Sequence, residues 1–335
     1  MNKDKKVKWG ILGCGKIANK FASDLALSQT GELIACASRN ELLARSFGEK
    51  FNARLHFNNY LSLATCQDVD VIYIATPHSF HYEQTVLCLQ NRKHVLCEKP
   101  MGINTVQVKS MIAIAQKHNV LLMEALWTAF LPVIREIQQI IKEGIIGEIR
   151  HVKADFGFNA DHDPSGRLFN PDLAGGALLD IGIYPLFMSL LILGDPTEIF
   201  SFVHKVPTGV DDECTVSLKY SNGATASLYA SLNCQTDTVC KIYGTKGKIT
   251  IPTRFHEQDH FYLQLNDKPK TIIHSGKTGL GYYHEIKHMN ECIQLRKLES
   301  PVMNFDLSLK LVSLLDKIRK QAGILYPGEI PSDLV

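Results

Sequence analysis

The junction between the first strand and the first helix constrains the fold of this chain more than any other feature. "KVKWGILG" (6–13) is an apolar run typical of a buried strand, and "KIANKFASDLALS" (16–28) has helical spacing. Between them, Gly13-Cys14-Gly15-Lys16-Ile17-Ala18 matches the pattern G-x-G-x-x-G/A. The first glycine of that pattern permits a tight turn, the second lets a pyrophosphate approach the backbone, and the small third residue lets helix and strand pack closely. The sequence therefore opens with a predicted dinucleotide-binding β-α-β unit.

The alternation of strands and helices continues to about residue 125. Such alternation implies parallel pairing with right-handed crossovers, and an unbroken apolar run such as "VIYIA" (71–75) fits a strand buried on both faces. We therefore expect residues 1–124 to form an α/β Rossmann domain with a doubly wound parallel sheet that binds a dinucleotide. The segments concerned are "ELIACAS" (32–38), a helix capped by Asn40 (40–51), "ARLHF" (53–57), "VDVIYIATP" (69–77), a helix at 80–92, "HVLCEKP" (94–100), a helix at 105–118 and "VLLMEA" (120–125).

Past residue 125 the pattern changes. Two helical segments, at 130–143 and about 175–193, are followed by six β runs with little helix between them. The Asn-Gly pair in "SNGA" (221–224) is a strong hairpin signal, and "GTKGK" (244–248) predicts a second turn. We expect residues 125–335 to form an α+β domain with an open, mainly antiparallel sheet covered by helices on one face. An amphipathic helix ending at Gly323 closes the chain.

The composition of the chain argues against several classes of function. The net charge of +2 and the lack of a dense Lys/Arg cluster argue against nucleic-acid or acidic-membrane partners. No apolar run approaches the 18 residues of a membrane span, and the polar start of the chain is unlike a signal peptide. The nine cysteines contain no Cys-x-x-Cys pair and mostly occupy apolar surroundings, which indicates free thiols in a reducing compartment. We expect a cytoplasmic protein.

The end of the second strand bears on the choice of cofactor. A carboxylate there would favour NAD by hydrogen bonding to a ribose hydroxyl, whereas an arginine would accommodate the 2′-phosphate of NADP. The segment "CASRN" (36–40) has no acid, but it has Ser38 and Arg39, which can donate to phosphate oxygens. This pattern favours NADP, and NAD stays open because a missing acid does not force the choice.

Two short motifs carry groups suited to chemistry. Glu98-Lys99-Pro100 ends the fifth predicted strand, and ligands of open α/β sheets bind at the carboxyl ends of strands. Lys99 is therefore expected beside the cofactor, the alternative being a solvated lysine at a strand end. In "GGALLDIGIYP" (175–185), Asp180 and Tyr184 stand four residues apart in an apolar helical segment, a spacing that places them on one face. The alternative is a pair of polar groups satisfied within a core.

Taken together, the motifs resemble those of a known family. "GILGCGKIA", "IATPHSFHYE", "CEKPMG", "MEALWTAFLP", "GGALLDIGIYP" and "YYHEIKHMNECI" occur in that order and span nearly the whole chain. They are similar to the Gfo/Idh/MocA oxidoreductases, and within that family to the branch of dimeric dihydrodiol and D-xylose dehydrogenases. The resemblance implies hydride transfer between a nicotinamide and a secondary alcohol or carbonyl of a sugar, an inositol or a cyclic trans-diol. It also implies an active site between the two domains and a homodimer or higher homo-oligomer.

The resemblance assigns roles to residues of this chain. It implies that Lys99, Asp180 and Tyr184 are catalytic, and that Trp127 and Phe158 line the substrate pocket. Arg167 ends the polar loop "DHDPSGR" (161–167), which we expect to lie over the active site, so Arg167 is expected to help shape the substrate entrance. It implies cofactor contacts from Gly13, Gly15, Lys16, Ile17, Ser38, Arg39, Thr76, Pro77, His81, Glu98 and Lys99. A tyrosine pKa near 10 is too high for a good base at neutral pH, and a nearby lysine ammonium would lower it. Tyr184 is thus the expected acid/base with Lys99 tuning it, although either group of such a coupled set can carry the proton.

Two alternatives belong to other classes of function. "HEIKH" (284–288) matches H-E-x-x-H, in which two histidines bind zinc and the glutamate is the general base of a metallopeptidase. No motif supplies a third ligand at the spacing zincins use, so we expect no catalytic metal. The other alternative is a non-catalytic NADP-binding sensor, which would be expected to lack Lys99 or Tyr184. Both residues are present.

Overall fold

A computed structural model describes residues 6–333 and divides them into two compact units. The first contains the described residues up to Phe130 together with Thr278–Leu309; the second contains Leu131–Lys277 and the described residues from Lys310 onward. The sequence pattern predicts a single boundary at 124/125, with the whole of 125–335 in one domain. In the structure, Thr278–Leu309 packs instead with the N-terminal residues.

The first unit is built on a six-stranded parallel sheet with the strand order β3-β2-β1-β4-β5-β6. Strand order reverses between β1 and β4, the switch point at which ligands of such sheets bind. The predicted doubly wound sheet is confirmed. Its strands are β1 (Val7–Leu12), β2 (Gly31–Ala37), β3 (Leu55–Phe57), β4 (Val71–Ile74), β5 (His94–Glu98) and β6 (Leu122–Ala125).

Helices connect these strands, and asparagine side chains cap the N-termini of three of them. Asn40 accepts a hydrogen bond from the backbone N–H of Leu43 at 3.1 Å, as predicted for the start of the second helix. The helices are α1 (Lys16–Leu25), α2 (Glu41–Phe51), α3 (Tyr60–Thr65), α4 (His81–Gln90) and α5 (Thr105–His118). A later helix, α8 (Tyr282–Gln294), also belongs to this unit.

Two buried polar contacts hold α8 in the first unit. The indole N–H of Trp9 on β1 donates to Asn290 Oδ1 on α8 at 2.9 Å. The Asp24 carboxylate, near the end of α1, accepts from the backbone N–H groups of Leu280, Gly281 and Tyr283 at 2.9–3.1 Å. A carboxylate at a helix N-terminus satisfies N–H groups that the helix itself leaves without acceptors. These contacts explain why the segment after residue 277 returns to the N-terminal sheet.

The second unit contains an eight-stranded sheet with the order β14-β13-β12-β11-β7-β10-β9-β8. Its neighbours are antiparallel except β7 and β10, which confirms the predicted mainly antiparallel sheet. Both predicted turns join adjacent antiparallel strands, β9 to β10 and β11 to β12. The strands are β7 (Ile149–Gly157), β8 (Glu198–Lys205), β9 (Asp211–Lys219), β10 (Thr225–Ser231), β11 (Cys240–Gly244), β12 (Gly247–Ile251), β13 (His260–Leu265) and β14 (Thr271–His274).

The helices of this unit are α6 (Pro132–Lys142), α7 (Ile183–Leu193) and the greater part of α9 (Phe305–Ala322), which is followed by Gly323 at a φ of +62°. Helix α7 and the turn before it pack on β7, β9 and β10. On that face of the sheet the side chains are apolar and buried, as in Val152, Val216 and Leu228. This alternation of buried and exposed residues is typical of a sheet with one covered face.

The region leading into α7 is apolar enough to be compared with a membrane span. Among the described residues, one helical stretch, Pro171–Leu193, has the length and hydropathy for such a span, and 83% of its most apolar window is buried inside the protein. That degree of burial is characteristic of a core helix. It agrees with the packing of α7 on the sheet.

Candidate functional site

The glycine motif lies at the switch point of the parallel sheet, between the ends of β1 and β4. Gly13 has a φ of +94°, and a Cβ there would lie 2.9 Å from both the carbonyl oxygen of Ala75 and Cγ2 of Thr76. Only glycine avoids that strain and that overlap. The loop after β1 therefore runs directly against the loop after β4, and this contact explains why the first glycine of the motif must be glycine.

The start of α1 suits a phosphate group. Gly15 is the N-cap of α1, no atom lies within 4 Å of the position its Cβ would occupy, and no side chain caps the helix. The first turn, which begins with Lys16 and Ile17, contains no acidic residue. Backbone N–H groups and the helix dipole therefore point into open space at this end. These residues fit the diphosphate of a dinucleotide, which Gly15, Lys16 and Ile17 would hold.

Ser38 and Arg39 follow β2, where the ribose of a dinucleotide would bind. The buried Ser38 hydroxyl accepts from the backbone N–H of Asn40 at 3.2 Å and still has its own proton to donate. Arg39 is exposed, and its guanidinium carbon lies 5.5 Å from the centroid of the Phe80 ring. Burial raises the pKa of Tyr60, and the neighbouring Arg39 opposes that rise. An exposed cation held over an aromatic ring is well suited to pair with phosphate.

His81 joins the loop after β4 to the loop after β5. Its Nδ1 lies 2.8 Å from the carbonyl oxygen of Pro100, and its Nε2 lies 2.8 Å from the carbonyl oxygen of Thr76. The ring is fully buried, which lowers its pKa, while the two carbonyls act in the opposite direction. Thr76 and Pro77 lie in the loop after β4, and the Thr76 hydroxyl donates to Gln84 Oε1 at 2.6 Å. The geometry gives His81 the means to position both loops.

Lys99 follows β5, as predicted, and the Lys99–Pro100 peptide bond is cis. The preceding residue, Glu98, accepts a hydrogen bond from the Tyr73 hydroxyl and another from the backbone N–H of Lys99 at 3.2 Å. Burial raises the pKa of Tyr73 well above its usual value, and the Glu98 charge adds to that rise. Glu98 is thereby tied to β4 and to the backbone of Lys99, so it helps to fix the turn that carries Lys99.

Trp127 lies in a short helical turn after β6 and is almost fully buried. Its ring stacks on Tyr282 of α8, with centroids 4.5 Å apart and an angle of 14°. Tyr282 in turn meets the edge of Phe21, whose ring stacks on Tyr73 at 3.7 Å. Sequence reasoning selected Trp127 alone, because nothing in the local pattern shows that α8 returns to this unit.

In the second unit, "GGALLDIGIYP" is held at its start by two distant residues. Gly176 has a φ of +126°, and a Cβ there would lie only 2.3 Å from Asp211 Oδ1. The Asp211 carboxylate accepts from the backbone N–H of Leu178 at 2.6 Å, and the Tyr326 hydroxyl donates to the carbonyl oxygen of Gly175 at 2.6 Å. Sequence reasoning identified neither anchor, since both lie far away along the chain.

Asp180 and Tyr184 do not lie on one regular α-helix. Residues Leu178–Gly182 form a π-helical turn, and α7 begins at Ile183. Pro185 has no N–H for an α-helical bond to Ile181, so the regular pattern cannot run through this point. Asp180 is buried in the wide turn, where its Oδ1 accepts from Arg167 Nη1 at 2.9 Å. The structure thus pairs Asp180 with Arg167, two of the residues selected from the sequence.

Tyr184 lies among aromatic rings. Phe156 of β7 is 5.7 Å from its ring centroid, and His256, in the loop between β12 and β13, is 5.0 Å from it. His256 is buried and stacks on Phe156 at 4.4 Å and 20°. The predicted substrate residue Phe158 packs on Phe156 at 6.5 Å. Sequence reasoning selected neither Phe156 nor His256. The "DFGF" segment (155–158) holds two phenylalanines two residues apart, Phe156 on β7 and Phe158 just after it, and the pattern does not say which lies beside Tyr184.

The "HEIKH" segment forms the first two turns of α8, and its side chains have separate partners. His288 Nε2 lies 2.8 Å from the Ser300 hydroxyl, whereas His284 Nε2 accepts from the backbone N–H of Thr278 at 3.1 Å. Glu285 is fully buried. Within residues 6–333, these side chains do not come together as a group that could hold a metal ion. The geometry gives the zinc-peptidase alternative no support.

Comparison with known proteins decides the family. Residues 7–126 match the family model described as an oxidoreductase family with an NAD-binding Rossmann fold. Residues 134–250 match the model of the GFO/IDH/MocA C-terminal domain. The chain belongs to the Gfo/Idh/MocA oxidoreductase family. The resemblance inferred from the motifs is confirmed, and the chain is an oxidoreductase of the dehydrogenase/reductase kind with an NAD(P)-binding Rossmann domain.

Similar proteins in the family extend over the full chain. The trans-1,2-dihydrobenzene-1,2-diol dehydrogenases of Mus musculus and Xenopus tropicalis are 35% and 34% identical to it, and each match covers 96% of this chain and 99% of the relative. The aldose-aldose oxidoreductase of Caulobacter crescentus, solved with glycerol, has a TM-score of 0.87 at 26% identity and covers 95% of this chain and 98% of its own. The 3-ketoreductase KijD10 of Actinomadura kijaniata, solved with NADP and TDP-benzene, has a TM-score of 0.85 at 26% identity. The match covers 94% of this chain and 97% of KijD10.

Proposed function

We propose that this protein is an NADP-dependent oxidoreductase acting on a secondary alcohol or carbonyl of a polyhydroxylated ring, such as a sugar, an inositol or a cyclic trans-diol. The observation that carries the proposal is the surroundings of Tyr184: aromatic rings of Phe156 and His256 pack around it, and Asp180 lies on the turn before its helix. Aromatic surfaces with a few polar groups are typical of sites that bind sugar rings. Related enzymes act on diols and sugars, which supports the same class of substrate.

The first unit would bind the cofactor, and the second would bind substrate and carry the dimer surface. Bound NADP supplies the hydride acceptor or donor for the reaction. In the oxidative direction Tyr184 takes the proton of the substrate hydroxyl, and in reduction it returns that proton. Lys99 polarises the substrate oxygen, and Asp180, oriented by Arg167 at 2.9 Å, accepts from a neighbouring hydroxyl. Trp127, Phe158 and Arg167 would complete the substrate contacts.

NADP is preferred to NAD in this proposal because of Arg39. The Phe80 ring holds its guanidinium at the end of β2, where a 2′-phosphate would lie, and Ser38 can add a second donor. The structural neighbour KijD10 was solved with NADP, which supports the same choice here. The other expected cofactor contacts are those of Gly13, Gly15, Lys16, Ile17, Thr76, Pro77, Glu98 and Lys99, with His81 positioning the loops.

A homodimer or higher homo-oligomer is also proposed, through the open face of the eight-stranded sheet. The central strands of that face are polar, with Thr215, Ser217 and Lys153 exposed. Its apolar part is near the edge strand β8, where Phe200 and Phe202 are 59% and 81% exposed. Exposed aromatic side chains of this kind mark interaction surfaces. A monomeric mass by light scattering at micromolar protein would refute the dimer.

A cytoplasmic location completes the proposal. The nine cysteines are free thiols, and all except Cys66 and Cys234 are buried. Buried free thiols are typical of proteins in reducing compartments.

The most direct test is a spectrophotometric screen of purified protein. Sugars, inositols and cyclic trans-diols would be offered with NADP⁺ and with NAD⁺, and the corresponding ketones with the reduced cofactors. We expect turnover with at least one polyhydroxylated ring and a higher kcat/KM with NADP⁺ than with NAD⁺. Turnover restricted to acyclic substrates, or no turnover together with tight NADP binding, would refute the proposal; the second result would favour the sensor.

A further inference from the structure

In the second unit, three side chains of types that bind metal ions meet at the end of the β13–β14 hairpin where β13 begins and β14 ends. Asp259 immediately precedes β13, His260 is the first residue of β13, and His274 is the last residue of β14. His260 and His274 are paired in register across the two strands, and their ring centroids lie 5.3 Å apart. One ligand atom from each of the three side chains lies within 4.8 Å of the other two.

We propose that Asp259, His260 and His274 form a binding site for a divalent transition-metal ion such as Zn²⁺, Co²⁺ or Ni²⁺. Two imidazole nitrogens and one carboxylate oxygen are the donors that Zn²⁺ and its neighbours prefer, whereas Mg²⁺ and Ca²⁺ prefer oxygen donors alone. Three protein ligands leave one position of a tetrahedral site for water or another ligand.

The hairpin prepares this geometry before any metal binds. Directly opposed residues of antiparallel strands project to the same face, so the register of the sheet places both imidazoles together. The Asp259 carboxylate already lies 2.8 Å from His260 Nδ1, and the backbone N–H of Ser275 donates to the carbonyl oxygen of Asp259 at 2.8 Å. Metal–ligand bonds of roughly 2.0–2.2 Å place tetrahedral ligand atoms about 3.3–3.6 Å apart. To bind a metal, the three ligand atoms, now within 4.8 Å of one another, would move closer together by adjustment of their side chains.

A simple ion pair does not account for all three residues. His204 and Asp212 form such a pair, with His204 Nδ1 at 2.7 Å from Asp212 Oδ1, and among residues 6–333 no third His, Cys, Asp or Glu side chain joins them as a possible metal ligand. In the hairpin, a second imidazole stands beside the His–Asp pair. A bound metal ion would be coordinated by both imidazoles and by the carboxylate.

The site lies at one end of a loop that matters to the proposed reaction. Residues 252–259 join β12 to β13, and His256, which stacks on Phe156 beside Tyr184, is three residues before Asp259. A bound ion would fasten the end of this loop to the edge strand β14. Metal binding itself uses none of the residues proposed for catalysis, so it can be tested whether or not the proposed reaction is found.

The test is a metal titration of the full-length protein after removal of metals with a chelator. Isothermal titration with Zn²⁺ near neutral pH should show one equivalent bound per chain with micromolar affinity, and Mg²⁺ should not bind at the same concentrations. Co²⁺ bound by two histidines and an aspartate should give visible absorption of a four- or five-coordinate ion. Zinc should also raise Tm, since a ligand that binds only the folded state stabilises it.

The variants decide whether these three residues are the ligands. His274→Gln and Asp259→Asn should each raise the Kd for zinc by about tenfold or more and abolish the Tm shift. His204→Gln, which removes the histidine of the other His–Asp pair, should leave Kd within about twofold. Absence of stoichiometric zinc binding in the unmodified protein overturns the proposal. Unchanged affinity in His274→Gln also overturns it, because the zinc would then be bound by other histidines.

Discussion

Asp211 accepts a hydrogen bond of 2.6 Å from the backbone N–H of Leu178, two residues before Asp180. The contact joins the start of β9 to the start of the π-helical turn, and the carboxylate is fully buried. Burial raises the pKa of Asp211 to about 7, while the Leu178 N–H acts in the opposite direction. The carboxyl that orients the turn carrying Asp180 therefore changes charge near physiological pH.

This property predicts a pH-dependent stability. The unfolded chain ionises Asp211 near its ordinary value of 3.8, whereas the folded protein retains the proton up to about pH 7. The contribution of Asp211 to stability is therefore complete below about pH 4, falls as the pH rises towards 7 and is constant above. Asp211→Asn keeps an acceptor for Leu178 without the titration. Its free energy of unfolding should rise relative to the unmodified protein between pH 4 and 7, by at most about 4 kcal/mol.

Urea denaturation at several pH values measures this difference. Asp237→Asn, at an exposed position, should change stability by less than about 0.5 kcal/mol at every pH. A difference between Asp211→Asn and the unmodified protein that does not vary with pH would contradict the assignment.

Tyr184 and Lys99 should both be essential for turnover but differ in their pH profiles. Tyr184→Phe and Lys99→Met should each lower kcat by about 10²- to 10⁴-fold, the usual contribution of a general acid/base. If Tyr184 carries the proton, the residual kcat of Lys99→Met should still depend on pH, with its midpoint at a different pH. The residual kcat of Tyr184→Phe should lose that pH dependence. Tyr243→Phe, on β11, serves as the matched control. Turnover of Tyr184→Phe at the level of the unmodified protein would refute its role as acid/base.

Arg39 should distinguish the two cofactors. Arg39→Ala removes the cation over Phe80 and should raise KM for NADP by about 10- to 100-fold, because hydrogen bonds to charged groups contribute about 1.5–3 kcal/mol. KM for NAD should stay within about threefold, since NAD has no 2′-phosphate. Arg45→Ala, which loses an exposed ion pair with Glu49 on α2, is the control for the loss of a surface charge. Equal effects on both cofactors would contradict the proposed phosphate contact.

His256 should influence substrate binding more than the chemical step. His256→Phe keeps a ring that can stack on Phe156 but removes the imidazole nitrogens beside Tyr184. We expect KM for a polyhydroxylated substrate to rise by about tenfold, equivalent to one lost hydrogen bond, with kcat within about threefold. A fall in kcat at unchanged KM would assign His256 to the chemical step instead. Melting temperature, measured in parallel, shows whether the stack is preserved.

Glu285 should destabilise the protein increasingly as the pH rises. It is fully buried, and neither carboxylate oxygen has a hydrogen-bond partner among the described residues. Burial raises its pKa well above the ordinary value, and the charges of Glu98 and Asp24 act in the same direction. The folded protein therefore holds a proton that the unfolded chain releases above its ordinary pKa of 4.5, so stability falls as the pH rises from there.

Glu285→Gln removes this titration with little change in shape. Its free energy of unfolding relative to the unmodified protein should be greater at pH 8 than at pH 5, by about 1–3 kcal/mol. Glu291→Gln, an exposed position on the same helix, should show no such pH dependence. A loss of stability in Glu285→Gln that is the same at both pH values would show that the carboxyl is ionised in the folded state.

Local sequence signals were sufficient for the two sheets. The glycine pattern around Gly13 predicts a strand, a tight turn and a helix because each residue of the motif has a short-range steric reason, and the structure shows that arrangement. Asn222-Gly223 likewise predicts the hairpin of β9 and β10. The return of Thr278–Leu309 to the first unit could not be predicted, because Trp9 and Asn290 are 281 residues apart and neither carries a local signal for the other.

Less of the candidate site than of the fold could be predicted from the sequence. Asp180 and Tyr184 were selected from their spacing, but the π-helical turn between them depends on Pro185 and on an acceptor at Asp211, 33 residues from Leu178. The contact of His256 with Phe156 depends on how a loop folds back on β7. A pattern of residue types identifies groups with suitable chemistry; which neighbours surround them is decided by long-range packing.

The bond between Trp9 and Asn290 has a practical consequence for protein engineering. A minimal cofactor-binding module cut after residue 124 or 130 would lack α8, and so would expose the indole N–H of Trp9 and strip Asp24 of its backbone donors. Chimaeras that exchange substrate specificity between members of the family should therefore transplant residues 131–277 together with the described residues from Lys310 onward, and leave Thr278–Leu309 with the host that supplies the Rossmann sheet.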